Sequence, residues 1–383
     1  MKYYIIAGEA SGDLHGANLI HALQNIDSQS VIYTWGGDKM AATGATLRKH
    51  FRDLAFMGFL EVVKNLRTIL SNIAFCKRDI LAFQPDVVVF IDYPGFNLRI
   101  AKWAKQQGLR TFYYISPQIW AWHSSRVYGI KASVDRMFCI LPFEKDFYKK
   151  YDYDVDFVGH PLLDSIKNWQ LGTMHLPSAI ASNGKPIIAL LAGSRRQEVE
   201  KMLPLMLSVV PYFVDYQFVV AAAPSLSTDF YRQFFSPSGQ LKGDISENTE
   251  GVELVENATY NLLENATAAL VKSGTSTLET ALFGVPQVVC YKGSKASYAI
   301  ARRLVNVKFI SLVNLIADRE IVKELIQDDL TTENLVAELR RAIDNQQVIK
   351  KNYEILRGQL GNAGASERTA ALMFHYLKLA ASH

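Results

Sequence analysis

Gln84-Pro85-Asp86-Val87-Val88-Val89-Phe90-Ile91-Asp92-Tyr93-Pro94-Gly95-Phe96-Asn97 decides the fold. Val87 to Ile91 is an unbroken β-branched and aromatic run, too short for a buried helix and too uniformly apolar for a half-exposed strand. It therefore reads as a central strand of a parallel sheet. The run ends on the carboxylate of Asp92, and Tyr93-Pro94-Gly95 forces a turn there. In open α/β sheets ligands bind outside the carboxyl ends of the strands, which puts Asp92 in a catalytic position. The same residue would also serve as the N-cap of a helix starting near Asn97.

Upstream, Lys2 to Ala7 is a strand, and Gly8-Glu9-Ala10-Ser11-Gly12-Asp13 turns it into a helix over about Leu14 to Leu23. The turn is glycine-rich but lacks the third glycine of a dinucleotide fingerprint and the Gly-Lys-Ser/Thr ending of a phosphate loop. Glu9, Ser11, Asp13 and His15 place polar groups at the same sheet edge as Asp92, as a pocket would need; helix capping is the alternative for Ser11 and Asp13. Val31 to Thr34 is a second strand. Leu54 to Val63 follows, apolar on nearly every side, with Phe56, Met57, Phe59, Leu60 and Val62 suited either to the core or to a lipid-facing surface. Downstream of Asp92, strands are expected over Arg110–Ile115, Arg136–Ile140 and Val155–Val158. The first of these leads into Ser116-Pro117-Gln118-Ile119-Trp120-Ala121-Trp122, an aromatic loop in which Trp120 and Trp122 fit a sugar face or an acyl chain, with packing under the loop as the alternative.

The 383 residues suit two domains of roughly 150 to 200 residues each. With 49% apolar and 20% charged residues the composition is that of a soluble globular protein. No apolar run of about 18 residues offers a membrane span, and no cleavable signal stands at Met1, which points to the cytoplasm. Cys76, Cys139 and Cys290 are scattered and form neither a disulfide framework nor a metal cluster. A net charge of +4 is too small for a nucleic-acid footprint and suits an anionic substrate.

Residues 168–186 shift to Gly, Ser, Pro, Asn and Thr and read as a linker. A second strand series then runs Ile187–Leu191, Gln217–Ala222, Val252–Val255, Ala268–Val271 and Gln287–Tyr291, which means a second doubly wound domain. Two of its turns suit anions. Gly193-Ser194-Arg195 opens one helix, offering backbone N–H groups, a positive helix end and a guanidinium fork. Ser273-Gly274-Thr275-Ser276 opens another, with Glu279 one turn on and in reach of ribose hydroxyls. Either turn taken singly fits plain helix capping, but two anion-suited turns in one domain without a Walker signature favour a nucleotide diphosphate. Asn314, closing an apolar run from Phe309 ahead of a helix opened by Asp318, is a further candidate ligand contact or a plain turn residue. From about Thr331 the chain reads as helical, with a break near Gly358 to Gly364.

Gly8-Glu9-Ala10-Ser11-Gly12-Asp13, Ile91-Asp92-Tyr93-Pro94-Gly95-Phe96-Asn97, Ser116 to Trp122, Leu141-Pro142-Phe143-Glu144, Gly193-Ser194-Arg195 with Glu198-Val199-Glu200, and Ser273-Gly274-Thr275 together resemble the lipid A disaccharide synthase family. The resemblance implies an inverting glycosyltransferase of the GT-B type, an α/β protein with two Rossmann-like doubly wound domains facing a cleft. Residues 1–167 would bind acceptor and lipid, residues 187–345 the UDP-sugar, and the helices of 346–383 would pack back on the first domain. The donor it implies is UDP-2,3-diacylglucosamine, the acceptor 2,3-diacylglucosamine 1-phosphate, and the product a β-1,6-linked disaccharide phosphate of lipopolysaccharide synthesis in a Gram-negative bacterium. The family's essential aspartate falls on Asp92 and its essential arginine on Arg195. The resemblance also turns the Phe56 to Val63 segment toward a lipid-facing role, with peripheral contact at the cytoplasmic face of the inner membrane, and leaves room for a homodimer. No cofactor or metal is expected. Ala192 stands where the family often has proline, and Val313 where it often has proline before asparagine. The rival readings are a UDP-sugar 2-epimerase and a non-catalytic two-domain ligand-binding protein, which fold alone does not separate.

Overall fold

The computed structural model describes residues 1–53, 66–122, 124–170, 184–234, 252–293, 298 and 308–381. The chain divides into two compact units, Met1–Asn168 with Leu360–His383, and Trp169–Gln359.

In the first unit, seven strands form one parallel sheet in the order β3-β2-β1-β4-β5-β6-β7. They are β1 (Lys2–Ala7), β2 (Val31–Gly36), β3 (Thr46–His50), β4 (Val87–Ile91), β5 (Thr111–Tyr114), β6 (Arg136–Cys139) and β7 (Asp156–Phe157). All of β4 is buried, as its uniform apolar sequence requires of a strand covered on both faces. Tyr4, Ile6, Val88, Phe90, Tyr113 and Met137 form the core on one side together with Trp35. Trp35 donates from Nε1 to the Tyr4 hydroxyl at 2.7 Å, and that hydroxyl donates to Asp79 at 2.7 Å. Arg48 on β3 grips the same carboxylate through Nη2 at 2.6 Å, so the polar edge strand is fastened through a buried network.

The second unit repeats the plan with six parallel strands in the order β10-β9-β8-β11-β12-β13. They are β8 (Ile187–Leu191), β9 (Gln217–Ala222), β10 (Val252–Glu256), β11 (Ala266–Lys272), β12 (Gln287–Tyr291) and β13 (Lys323–Ile326). The strand order reverses between β1 and β4 in one sheet and between β8 and β11 in the other. These reversals are the two topological switch points, where the loops on either side diverge and leave room for a ligand.

Three local readings of the sequence change. Thr46–His50 and Lys323–Ile326 are strands that its pattern did not show, both at sheet edges. Leu312–Ala317 is a helix capped by Ser311 rather than the end of an extended run, and Asp318, in the left-handed region at φ 49°, closes that helix instead of opening one. The helix Ala10–Ile26 also begins four residues earlier than expected.

The final helix, Ala365–Ala381, belongs to the first unit, where it packs on the helix Ala10–Ile26. Asp164 accepts the backbone N–H groups of Gly364, Ala365 and Ser366 at 2.5 to 3.2 Å and so caps its start. Gln346–Gln359 belongs to the second unit. Among the described residues no helix is long and apolar enough to cross a membrane.

Candidate active site

The first unit's switch point brings the turn after β1 against the turn after β4. Gly8 has to be a glycine: a Cβ there would lie 2.2 Å from the Tyr93 ring. Asp92 and Tyr93 are both left-handed, at φ 45° and 50°. Such a pair costs free energy in non-glycine residues and persists only where the surroundings impose it. Here the Tyr113 hydroxyl at 2.5 Å and Asn97 Nδ2 at 2.7 Å both donate to the Asp92 carbonyl and hold the backbone in that bend. Tyr93, not Asp92, is the N-cap of the helix Pro94–Gln106, so the Asp92 carboxyl is not engaged in capping. That carboxyl is pushed up to about 6, first by burial and then by the charge of Glu9, with the Tyr93 N–H partly offsetting both. A half-buried aspartate tuned toward neutrality at a sheet switch point is equipped to take a proton.

The other residues assigned to this pocket separate. Glu9 stands at the head of the helix Ala10–Ile26 without a side-chain capping bond, and Ser11 is half-buried in its first turn. Asp13 is corrected from pocket to scaffold: it is buried and accepts from the N–H groups of Gly37, Lys39 and Met40 at 2.7 to 3.1 Å, capping the short helix Asp38–Ala42. His15 is likewise interior, held down to about 4 by burial against the opposing charge of Asp164. Trp120 is half-buried, with its ring edge-on to Phe143 at 4.9 Å and Nε1 donating to Glu144 at 3.3 Å. Glu144, quoted in the sequence without a role, is thereby tied to the aromatic loop. It also accepts from the N–H groups of Ile140 and Leu141, and burial pushes it up to about 7. The side chain of Trp122, and Phe56, Met57, Phe59, Leu60 and Val62, lie outside the described residues.

In the second unit the switch point is cationic. Gly193 sits at φ 116°, and a Cβ there would meet Glu198 at 2.7 Å, so both conformation and space require glycine. Arg195 is the N-cap residue of the helix Arg196–Leu207, and its exposed guanidinium reaches Glu198 at 3.4 Å. Glu198 bends back to accept the Ser194 N–H at 3.1 Å, closing the turn as the acidic member of a capping box does. It also takes the Lys272 ammonium at 2.8 Å. Burial opposes ionisation of Glu198, but Lys272, Arg195 and the Ser194 N–H together hold its carboxyl below the usual range. Lys272 was not singled out from the sequence, because nothing in its neighbourhood shows a partner 74 residues away.

Gly274 is the N-cap residue of the helix Thr275–Leu282. Thr275 is exposed and open to an anion at the helix end, whereas the Ser276 hydroxyl donates to Glu279 and the Ser273 hydroxyl donates to the Ile310 carbonyl at 2.9 Å. Glu279 accepts from the Tyr260 hydroxyl at 2.8 Å and is raised by burial. Asn314 is corrected: it is fully buried, its Nδ2 donates to the Val322 carbonyl and to Glu324, and its Oδ1 accepts from the N–H groups of Ile321 and Val322. All four hydrogen-bonding positions are filled, which makes it a clamp between the helix Leu312–Ala317 and β13 rather than a ligand contact.

Comparison with known proteins places the fold and the family. A UDP-GlcNAc 2-epimerase from Neisseria meningitidis, solved bound to UDP-GlcNAc, superposes with a TM-score of 0.63 at 14% identity, over 98% of this chain and all of that one. The calicheamicin glycosyltransferase CalG4 does so with a TM-score of 0.59 at 15% identity, over 99% of both. At such identities the likeness is one of fold, the two-domain GT-B architecture. Sequence relatives go further. The lipid-A-disaccharide synthase of Syntrophus aciditrophicus is 39% identical over 98% of this chain and 97% of its own length. That of Geobacter sulfurreducens is 34% identical over 98% and 97%, and one from Coxiella burnetii 34% over 97% and 98%. A family model described as lipid-A-disaccharide synthetase matches residues 3–373, and with these relatives it shows that the chain belongs to the lipid-A-disaccharide synthetase family.

Proposed function

We propose that the chain transfers 2,3-diacylglucosamine from its UDP donor to 2,3-diacylglucosamine 1-phosphate by inverting transfer, with Asp92 as the base. The family establishes a glycosyltransferase acting on a UDP-sugar and a lipid-linked acceptor. The observation that carries the assignment of the base is Asp92 itself, relieved of capping by Tyr93 and pushed up to about 6 at the first unit's switch point. In this reading Asp92 takes the proton of the acceptor's 6-hydroxyl as that oxygen attacks the anomeric carbon of the donor. The bond from that carbon to the diphosphate breaks, and UDP leaves with the negative charge. A base with a pKa nearer the working pH than an ordinary carboxylate's is better matched to this proton transfer. Arg195, the Ser194 turn and the start of the helix Thr275–Leu282 supply donors and positive charge for the departing diphosphate.

The test incubates the purified protein with UDP-2,3-diacylglucosamine and 2,3-diacylglucosamine 1-phosphate and resolves the products. Disaccharide phosphate and UDP in equal amounts, absent with Asp92→Asn, are expected. Turnover of UDP-GlcNAc to its 2-epimer without acceptor, and no disaccharide, would return the epimerase reading.

Both substrates carry acyl chains, and each methylene withdrawn from a bilayer into water costs about 0.8 kcal/mol, so the enzyme must meet them at an apolar surface. The segment holding Phe56, Met57, Phe59, Leu60 and Val62, with Lys64, Arg67 and Lys77 nearby, is the proposed contact with an anionic leaflet. Replacing Phe59 and Val62 by serine should reduce binding to anionic liposomes and activity on long-chain substrates while the protein stays folded. A variant that fails to fold would place the segment in the core. A homodimer, proposed from the sequence alone, is tested by the mass of the purified protein in light scattering.

A further inference from the structure

We propose that Lys272 is a donor-binding residue, supplying a second cation to the diphosphate of the UDP-sugar while Glu198 holds its ammonium in position. The proposal rests on the reading of the second unit's switch point as the diphosphate site.

β8 and β11 are hydrogen-bonded neighbours with Leu191 opposite Val271, so Lys272 comes level with Ala192 and directly beside the Gly193 turn. Its side chain is one-fifth exposed, with the ammonium 2.8 Å from Glu198 Oε1. The same oxygen faces the Arg195 guanidinium at 3.4 Å, and Glu198 Oε2 accepts the Ser194 N–H at 3.1 Å. A lysine from the end of β11, an arginine from the turn after β8 and a backbone N–H thus converge on a single carboxylate. The two anion-suited turns are therefore one site, joined through Glu198.

Lys272 and Arg195 both bear on this one carboxylate beside the starts of the helices Arg196–Leu207 and Thr275–Leu282, whose positive ends add to their field. A diphosphate carries at least two negative charges. The lysine's flexible stem and three donors let it keep one hydrogen bond to Glu198 and turn another to a phosphate oxygen, as a guanidinium fork committed to one plane does less readily. Charge grows on the leaving diphosphate as the glycosidic bond breaks, so the contact strengthens toward the transition state and supports turnover as well as binding.

The experiment measures calorimetric binding of UDP and of uridine, together with turnover and melting temperature, for the wild type, Lys272→Gln, Lys272→Arg and Arg195→Ala. Lys272→Gln is expected to weaken UDP binding about tenfold, as loss of one charge-assisted hydrogen bond does, and to lower kcat, with uridine binding unchanged and the protein still folding cooperatively. Lys272→Arg should keep most of the UDP affinity. Wild-type UDP affinity in Lys272→Gln beside weakened affinity in Arg195→Ala would overturn the proposal and leave the diphosphate site standing. Equal weakening of UDP and uridine by Lys272→Gln would overturn it too, as a general loss of structure. If neither Lys272→Gln nor Arg195→Ala alters UDP binding, the reading of the diphosphate site falls, and the proposal with it.

Discussion

As the proposed base, Asp92 carries opposite demands in catalysis and in a stable fold. Burial and Glu9 raise its carboxyl from an ordinary 3.8 to about 6, so the native state holds the proton more tightly than the unfolded chain does. Ionisation therefore costs the native state about 3 kcal/mol, a cost absent below pH 4, growing between pH 4 and 6 and complete above. Asp92→Asn should accordingly abolish turnover, keep UDP affinity within a few fold, and raise thermal stability at pH 8 but not at pH 3. Substantial turnover by that variant, or a melting curve that responds equally at both pH values, would speak against the assignment. The same shift predicts that kcat/KM falls as pH drops through about 6, where the base becomes protonated. Glu9→Gln removes the second cause of the shift, so the acid limb should move to lower pH; an unmoved limb would mean that Glu9 does not act on Asp92. Asp92 stands out in the sequence because an aspartate ending an apolar strand is a local pattern. The sequence misplaces Asp13 and Asn314 because a short polar side chain at a turn has the same appearance whether it faces a ligand or a distant N–H group. The deciding partners, Gly37 to Met40 for one and Ile321 to Glu324 for the other, belong to other elements.

At the level of elements, the interior strands are legible, and so are the edge strands β7 and β10, whereas the edge strands β3 and β13 are not. β4 and β8 are continuous apolar runs because both faces are covered. Thr46-Leu47-Arg48-Lys49-His50 and Lys323-Glu324-Leu325-Ile326 have one neighbour each, carry charges, and give too short an alternation to be distinguished from loop. The turns at the switch points are more demanding than their sequences suggest, since each depends on a side chain from another segment lying against a glycine. Gly193→Ala would place an L-residue at φ 116° and drive its Cβ into Glu198, which must then release Ser194, Arg195 or Lys272. We expect at least tenfold weaker UDP binding in that variant with the second sheet intact by circular dichroism, a backbone strain of about 1–3 kcal/mol being too small to unfold it. Wild-type affinity would show that the turn does not shape the site.

For the whole molecule, the arrangement that matters most is that the first unit is assembled from both ends of the chain. Ala365, Ala370 and Met373 of the last helix are fully buried, Asp164 caps its start, and Arg368 donates to the carbonyls of Val158, Asn362 and Ala363. Ending the chain at Gln359 would strip a covering layer from the first sheet and leave the second untouched. Calorimetry of that truncated protein should show the first unit's transition lost and the second's kept, with UDP still bound; survival of both transitions would mean that the helix is an accessory. On the ribosome the same arrangement sets an order of events. At about 5–20 residues per second the stretch between Asn168 and Leu360 takes on the order of ten seconds or more to emerge, and the second unit has all its residues by its end. The helix Ala10–Ile26, made among the first, waits throughout that interval with the face that will meet the last helix uncovered, so the unit that begins synthesis first is the last to be completed.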